Sequence, residues 1–159
     1  MIHFLSQDEV EHLSLSPALK QSLVQSIDPQ VNPGHVLTPP RHWLEAVATG
    51  EYTWNFFRLR YKNLLRRREK LEPAKFQTLL NRSVGEQALY LTCGCGGPNC
   101  HAELAAEFLE TQRRIQASEK IRMDKKQIRL TRPDNTGRPT RQLMLSALIE
   151  HPVAHTAAG

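Results

Sequence analysis

The chain has 159 residues, 40% hydrophobic and 23% charged, with three cysteines and a formal net charge of +5. That length suits one domain with extensions and a sizeable core. It holds no apolar run long enough to span a bilayer, which excludes a membrane span, and an odd, clustered set of cysteines excludes a disulfide scaffold.

The first residues turn acidic at once, so no signal peptide is expected, and the thiols fit a reducing, cytoplasmic compartment. Charge is unevenly spread. Residues 1–57 hold two Lys/Arg against six Asp/Glu, and residues 58–112 hold nine against six. Residues 113–141 hold ten against three. A basic centre and C-terminal third are the electrostatic footprint of a polyanion partner, although an Arg-rich helix face is also simply well solvated.

In chain order, Ser6 and Glu9 form a capping box that starts a helix, with Leu5 placed to staple onto Val10. Ser16-Pro17 repeats the start signal. Leu19, Leu23, Val24 and Ile27 then share one helical face, and Asp28-Pro29 ends it. Residues 28–40 are crowded with Asp, Asn, Pro and Gly and read as a connection, in which His35-Val36-Leu37 suits a short strand. Arg41 to Ala48 reads as a helix with Trp43, Leu44 and Val47 inward, ended by Gly50.

Thr53 caps a longer helix whose Trp54, Phe57, Tyr61, Leu64 and Leu65 form one stripe. That stripe is read as core in preference to a base-stacking platform. Its other face carries Arg58, Arg60, Lys62, Arg66, Arg67, Arg68 and Lys70. Pro73 opens a further helix with Phe76, Leu79 and Leu80 inward, and Ser83 to Glu86 is a turn. Residues 87–93 are almost continuously apolar, the pattern of a strand covered on both faces in a parallel sheet.

The helix beginning at Cys100 turns Leu104, Ala105, Phe108 and Leu109 inward and runs on toward Lys120–Lys126. Gln127-Ile128-Arg129-Leu130 alternates like an edge strand. Residues 133–137 form a turn, and Thr140 caps a last helix before a disordered tail. The expected fold is therefore α/β, a mostly helical chain around a small parallel sheet. A helical segment (1–36), an α/β core (37–112) and a basic C-terminal extension (113–159) divide it.

All three thiols lie in Cys93-Gly94-Cys95-Gly96-Gly97-Pro98-Asn99-Cys100-His101. Three chemistries suit that loop. Cys93, Cys95, Cys100 and His101 supply zinc-ligand atoms, but with one residue between Cys93 and Cys95 instead of two, and with Cys100 and His101 adjacent. His42 and His151 are conceivable outside ligands. Alternatively, Cys100 at a helix start sits in the positive end of the dipole, which favours a thiolate, with His101 beside it as a proton acceptor. Third, a strand end, glycines and free helical N–H groups suit a phosphate or carboxylate, or simply a tight turn with buried thiols.

The segments Leu37-Thr38-Pro39-Pro40, Gly50-Glu51-Tyr52-Thr53-Trp54, Phe57, Tyr61 and Leu64, followed by the apolar strand and Cys100-His101, resemble the C-terminal part of domain-of-unknown-function family 488. The similarity covers about residues 37–112. It implies a Rossmann-like three-layer fold with the cysteine strand in a parallel sheet, and no established activity. Two departures stand out. The family's Arg after Cys-His is Ala102, which removes an anion contact, and its first strand has no evident counterpart in residues 1–36.

Together these features predict a nucleic-acid-binding accessory protein whose Cys/His loop holds a metal or an anionic ligand. The phosphate contacts would come from Arg66, Arg67, Arg68, Arg113, Arg114, Arg122, Lys125, Lys126, Arg129, Arg132, Arg138 and Arg141. The alternatives are a small-ligand-binding or thiol-dependent α/β enzyme acting at the Cys93–His101 loop, with Cys93, Cys95, Cys100 and His101 in its site and Cys100 and His101 as candidate catalytic residues, and a protein that docks a protein partner through its charged ends.

Overall fold

The computed structural model describes residues 1–82, 88–95 and 99–131. Contacts divide the chain into two compact units, Met1–Arg113 and Arg114–Gly159. The first unit contains the sheet and the cysteine loop. The described part of the second is the continuation of one helix.

The elements run β1 (Ile2–Leu5), α1 (Gln7–Glu11), α2 (Pro17–Leu23), β2 (Val24–Ser26), α3 (Arg41–Ala48), α4 (Trp54–Leu71), α5 (Pro73–Arg82), β3 (Leu89–Thr92) and α6 (His101–Thr131). The three strands form one parallel sheet in the order β1-β3-β2. Ile2 lies opposite Leu89 and Leu5 opposite Thr92, while Val24 pairs with Tyr90 and Ser26 with Thr92. The molecule is thus a mostly helical α/β chain around a small parallel sheet. The cysteine strand is central, and its Leu89, Leu91 and Thr92 are buried.

The helix starts follow their sequence signals. Ser6 and Glu9 make the reciprocal capping box, Ser16 accepts from Leu19 N–H ahead of Pro17, and Thr53 accepts from Phe56 N–H. Phe57, Tyr61 and Leu65 are fully buried and pack with Phe76, Leu79 and Leu80 of α5, with β3, and with Ala105, Phe108 and Leu109 of α6. Trp54, Phe57 and Tyr61 stack in succession, with centroids 5.1 and 5.5 Å apart. The aromatic stripe is therefore core, and no base could stack on its interior members.

Three local expectations need correction. The helix starting at Ser16 does not reach Ile27: it stops at Leu23, and Val24 turns to φ −94°, ψ 123° and enters β2. A run of four residues cannot distinguish the two periods, and pairing with β3 decides it. His35-Val36-Leu37 is turn, not strand; the Leu37 N–H donates to the His35 ring and the Val36 carbonyl accepts from Arg68. Gln127–Leu130 continues α6 and is not an edge strand. The first segment, read as helical, also supplies two of the three strands. The turns at 83–86 and 133–137 and the helix capped by Thr140 lie outside the described residues.

Candidate metal centre

The sequence builds this site at the carboxyl ends of β2 and β3, where parallel strands commonly deliver functional loops. Ile27 follows β2 and donates its N–H to the Thr92 carbonyl at 2.9 Å, extending the pairing by one residue. Asp28 then takes the Gly94 N–H on Oδ2 (2.9 Å) and the Gln30 N–H on Oδ1 (2.8 Å). This carboxylate ties the end of one strand to the loop after its neighbour. A Cβ on Gly94 would lie 2.6 Å from Asp28 Oδ2, so glycine is needed there for close approach.

The loop residues converge. Cys93 Sγ lies 2.9 Å from Cys100 Sγ, and Cys95 Sγ lies 2.9 Å from His101 Nδ1. The ligand atoms of Cys93, Cys95 and His101 all fall within 4.8 Å of one another. The bend at Gly94, just beyond the end of β3, lets Cys93 and Cys95 converge. His101, the first helical residue, aims at this cluster, whereas Cys100 just before it turns its sulfur onto Cys93 and is not among the mutually close ligand atoms. The single residue between Cys93 and Cys95 therefore presents no geometric obstacle.

His101 is almost completely buried. Its Nε2 lies 3.0 Å from the Ile27 carbonyl. A carbonyl can only accept, so Nε2–H donates and Nδ1 keeps its lone pair toward Cys95. A backbone carbonyl that fixes the tautomer of a histidine is the usual outer support of a metal ligand. Burial lowers the His101 pKa below its ordinary value, with the Ile27 hydrogen bond opposing, and so favours the neutral, ligating form. The Tyr61 ring meets His101 edge-on at 6.3 Å, and its hydroxyl donates to the Leu37 carbonyl.

The thiols differ. Cys100 is held well below the ordinary thiol range, first by hydrogen bonds from Cys93 and Cys95 and then by the Ala102 and Glu103 N–H groups. The same contacts, with Cys100 as the leading cause, push Cys93 and Cys95 up. Cys93 and Cys100 are buried and Cys95 is exposed. Cys95 and His101, with Asp28, Leu44, Val47 and Trp54, line a cleft of about 340 Å³. The thiol that looks into this cleft is Cys95. Cys100, the sequence's choice of nucleophile, is 3% exposed and turned onto Cys93.

These donors suit zinc. Bonds of about 2.3 Å to sulfur and 2.0 Å to nitrogen in a tetrahedron put ligand atoms about 3.3–3.8 Å apart. The observed separations, from 2.9 Å in the closest pairs to at most 4.8 Å, bracket that spacing. Cys93, Cys95 and His101 can thus bind a metal such as zinc. Among the described residues no other group of Cys, His, Asp and Glu has this arrangement. His42 is exposed, with its ring against Trp43, and His151 lies outside the described residues.

The basic residues fall into distinct environments. Arg66 and Arg67 are exposed on α4, Arg66 with a contact to Asn63. Arg68 is half-buried and donates to the Val36 and Thr38 carbonyls. Arg60 packs over Trp43, 4.7 Å from its ring centroid, and donates to the Tyr52 hydroxyl. Arg113 is paired with Glu110 at 3.0 Å. In the second unit, Arg114, Arg122, Lys125 and Lys126 are exposed along α6. Arg129 lies in α6, and its side chain, like Arg132, Arg138 and Arg141, is outside the described set.

No residue pattern marks Ile27, Asp28 or Tyr61 as parts of the site. Only the Asp-Pro turn signal marked the position of Asp28. No helix among the described residues is long and apolar enough to cross a membrane. No protein-family model, curated protein or solved structure matches this chain.

Proposed function

We propose that this protein binds one zinc ion through Cys93, Cys95, Cys100 and His101, in a closed centre that joins the ends of β2 and β3 to the start of α6. The observation that carries this is the mutual approach of the Cys93, Cys95 and His101 ligand atoms within 4.8 Å, with His101 already in the ligating tautomer. Cys100 completes the set because its sulfur touches Cys93 and accepts the Ala102 N–H at 3.3 Å, which supports a thiolate. A zinc ion there supplies cross-linking of the four donors, and the fixed Ile27 and Asp28 contacts hold the loop in register for it. Metal analysis of the purified, reduced protein tests this. One zinc per chain is expected, falling below one-tenth in both Cys95→Ser and His101→Ala; full occupancy in either variant refutes the ligand set.

A second reading gives the protein a nucleic-acid partner. It is favoured by the exposed guanidinium groups of Arg58 and Arg67 and by Arg114, Arg122, Lys125 and Lys126, none of which has an ion-pair partner among the described residues. Each surface would contact phosphates and not base edges, so binding would be weakly sequence-selective. Fluorescence anisotropy with labelled single- and double-stranded DNA and RNA across a salt series tests it. Loss of affinity of about 10³-fold between 50 and 200 mM salt is expected if six phosphates are engaged. Affinity that does not change with salt refutes it.

A further inference from the structure

Cys93 and Cys100 are the closest pair of sulfurs described, 2.9 Å apart and both buried, while the neighbouring Cys95 sulfur is occupied by His101 Nδ1 on its other side. Metal-binding alone does not require two sulfurs to touch: ligands on one tetrahedral zinc sit about 3.8 Å apart. The pair lies between the sulfur separation of a shared metal and that of a covalent bond, about 2.05 Å, so a small displacement suffices to reach either. Six residues separate the two cysteines, so the ring that would close is short. A cleft lined by Cys95 and His101 opens beside the pair, although neither of its two sulfurs lines it.

We propose that Cys93 and Cys100 form an oxidation site for small hydroperoxides, and that closing this disulfide expels the metal. The inference rests on the zinc reading of the same cluster. Of the two sulfurs of the pair, Cys93 is the more accessible, 8% exposed against 3% for Cys100. As a ligand of the zinc-loaded chain Cys93 would be a thiolate; it attacks the distal oxygen of the hydroperoxide, the O–O bond breaks, an S–O bond forms, and the leaving oxygen takes a proton. The result is a sulfenic acid and water, or an alcohol where the oxidant is organic.

The Cys100 thiolate, held by the Ala102 N–H, then attacks the Cys93 sulfur. The S–S bond forms, the S–O bond breaks, and hydroxide leaves to be protonated to water. Two electrons pass from the two sulfurs to one peroxide. Two thiolate donors are lost together, leaving Cys95 and His101, too few to hold zinc tightly. Thiol reductants reverse the reaction and restore the ligand set.

The test uses the reduced, zinc-loaded full chain and hydrogen peroxide. Zinc release is followed with a metallochromic indicator, and peptide mass spectrometry after alkylation follows the cysteines. The expected result is release of one zinc per peroxide consumed, with a Cys93–Cys100 crosslink, Cys95 still alkylatable, and recovery of binding after dithiothreitol and added zinc. Zinc release with Cys93 and Cys100 both still alkylatable overturns the proposal, as does a crosslink that includes Cys95.

The Cys95→Ser variant provides a second arm, because it removes the competing sulfur and keeps the pair. It should still form the crosslink, and failure to do so counts against the pair. Absence of zinc from the reduced protein would refute the zinc reading separately. The crosslink map on that metal-free protein still decides whether this pair is the oxidation site.

Discussion

Removing the metal is the most direct perturbation of the proposed centre, and its size can be worked out. A ligand that binds only the folded state stabilises it in proportion to the logarithm of its concentration over its dissociation constant. Zinc at a thousandfold excess over that constant contributes about 4 kcal/mol. The unit that contains the site is Met1–Arg113. At about 2.1 cal/mol/K per residue its unfolding entropy is about 0.24 kcal/mol/K, so the midpoint should rise by about 17 °C. Any affinity of the unfolded cysteines for zinc reduces this figure. Scanning calorimetry of reduced protein, with chelator and with buffered free zinc, measures it. His101→Ala should abolish the shift. His42→Ala should keep it, since that ring lies on the exposed side of α3 against Trp43. Equal midpoints with and without zinc, or loss of the shift in the His42 variant, would refute the ligand assignment.

Four further outcomes follow from the same geometry. Asp28→Ala should weaken zinc about 10- to 100-fold by freeing the Gly94 and Gln30 N–H groups, measured by competition with a chromophoric chelator. Gly94→Ala forces its Cβ against the Asp28 carboxylate and should cost about 1–3 kcal/mol in urea unfolding; an unchanged midpoint refutes the close approach. Arg68→Ala should cost about 2–4 kcal/mol because it strips the donors from two carbonyls, whereas the exposed Arg67→Ala should change stability by less than about 0.5 kcal/mol. Finally, burial, followed by Arg82 and Arg68, lowers the His35 pKa below 6.5, and burial lowers that of His101. The unfolded chain therefore takes up protons that the folded chain refuses. Stability of the metal-free protein should be full above pH 6.5 and fall as pH drops below it, and His35→Gln should make that fall shallower.

The parts of the fold that local chemistry decides were legible in the sequence. Thr53 before Trp54, Ser16 before Pro17 and the Ser6/Glu9 box each mark a helix start because a side-chain oxygen must satisfy an orphan N–H. β3 was legible because a short apolar run that stops at a glycine turn reads as a covered strand. β2 was not. Leu19, Leu23, Val24 and Ile27 recur at helical spacing, and what turns Val24 out of the helix is pairing with Tyr90, 66 residues later. The same limit applies to the arginines. Arg67 and Arg68 are neighbours of one type, and only the path of residues 36–38 under α4 makes one a solvent group and the other a structural donor. For the site, composition singled out every sulfur and the imidazole. It could not supply Ile27 or Asp28, which enter through backbone contacts 74 and 66 residues away.

Those two contacts explain why the cysteine loop belongs to this sheet and is not an independent metal knuckle. The Ile27 peptide unit acts at both ends: its N–H pairs with Thr92 at the end of β3, and its carbonyl fixes the His101 ring at the start of α6. Asp28 next to it holds Gly94, between the first two thiols. Any shift of β2 along β3 would therefore move the imidazole acceptor and the loop anchor together. Conversely, a cross-link of Cys93, Cys95 and His101 restrains β2 through groups that are not ligands. A three-stranded parallel sheet with edge strands of three and four residues has few ladder bonds of its own. A centre that couples its two carboxyl ends to the first turn of α6 supplies the missing restraint where the strands are shortest. The metal and the sheet are thus expected to be lost in one cooperative step.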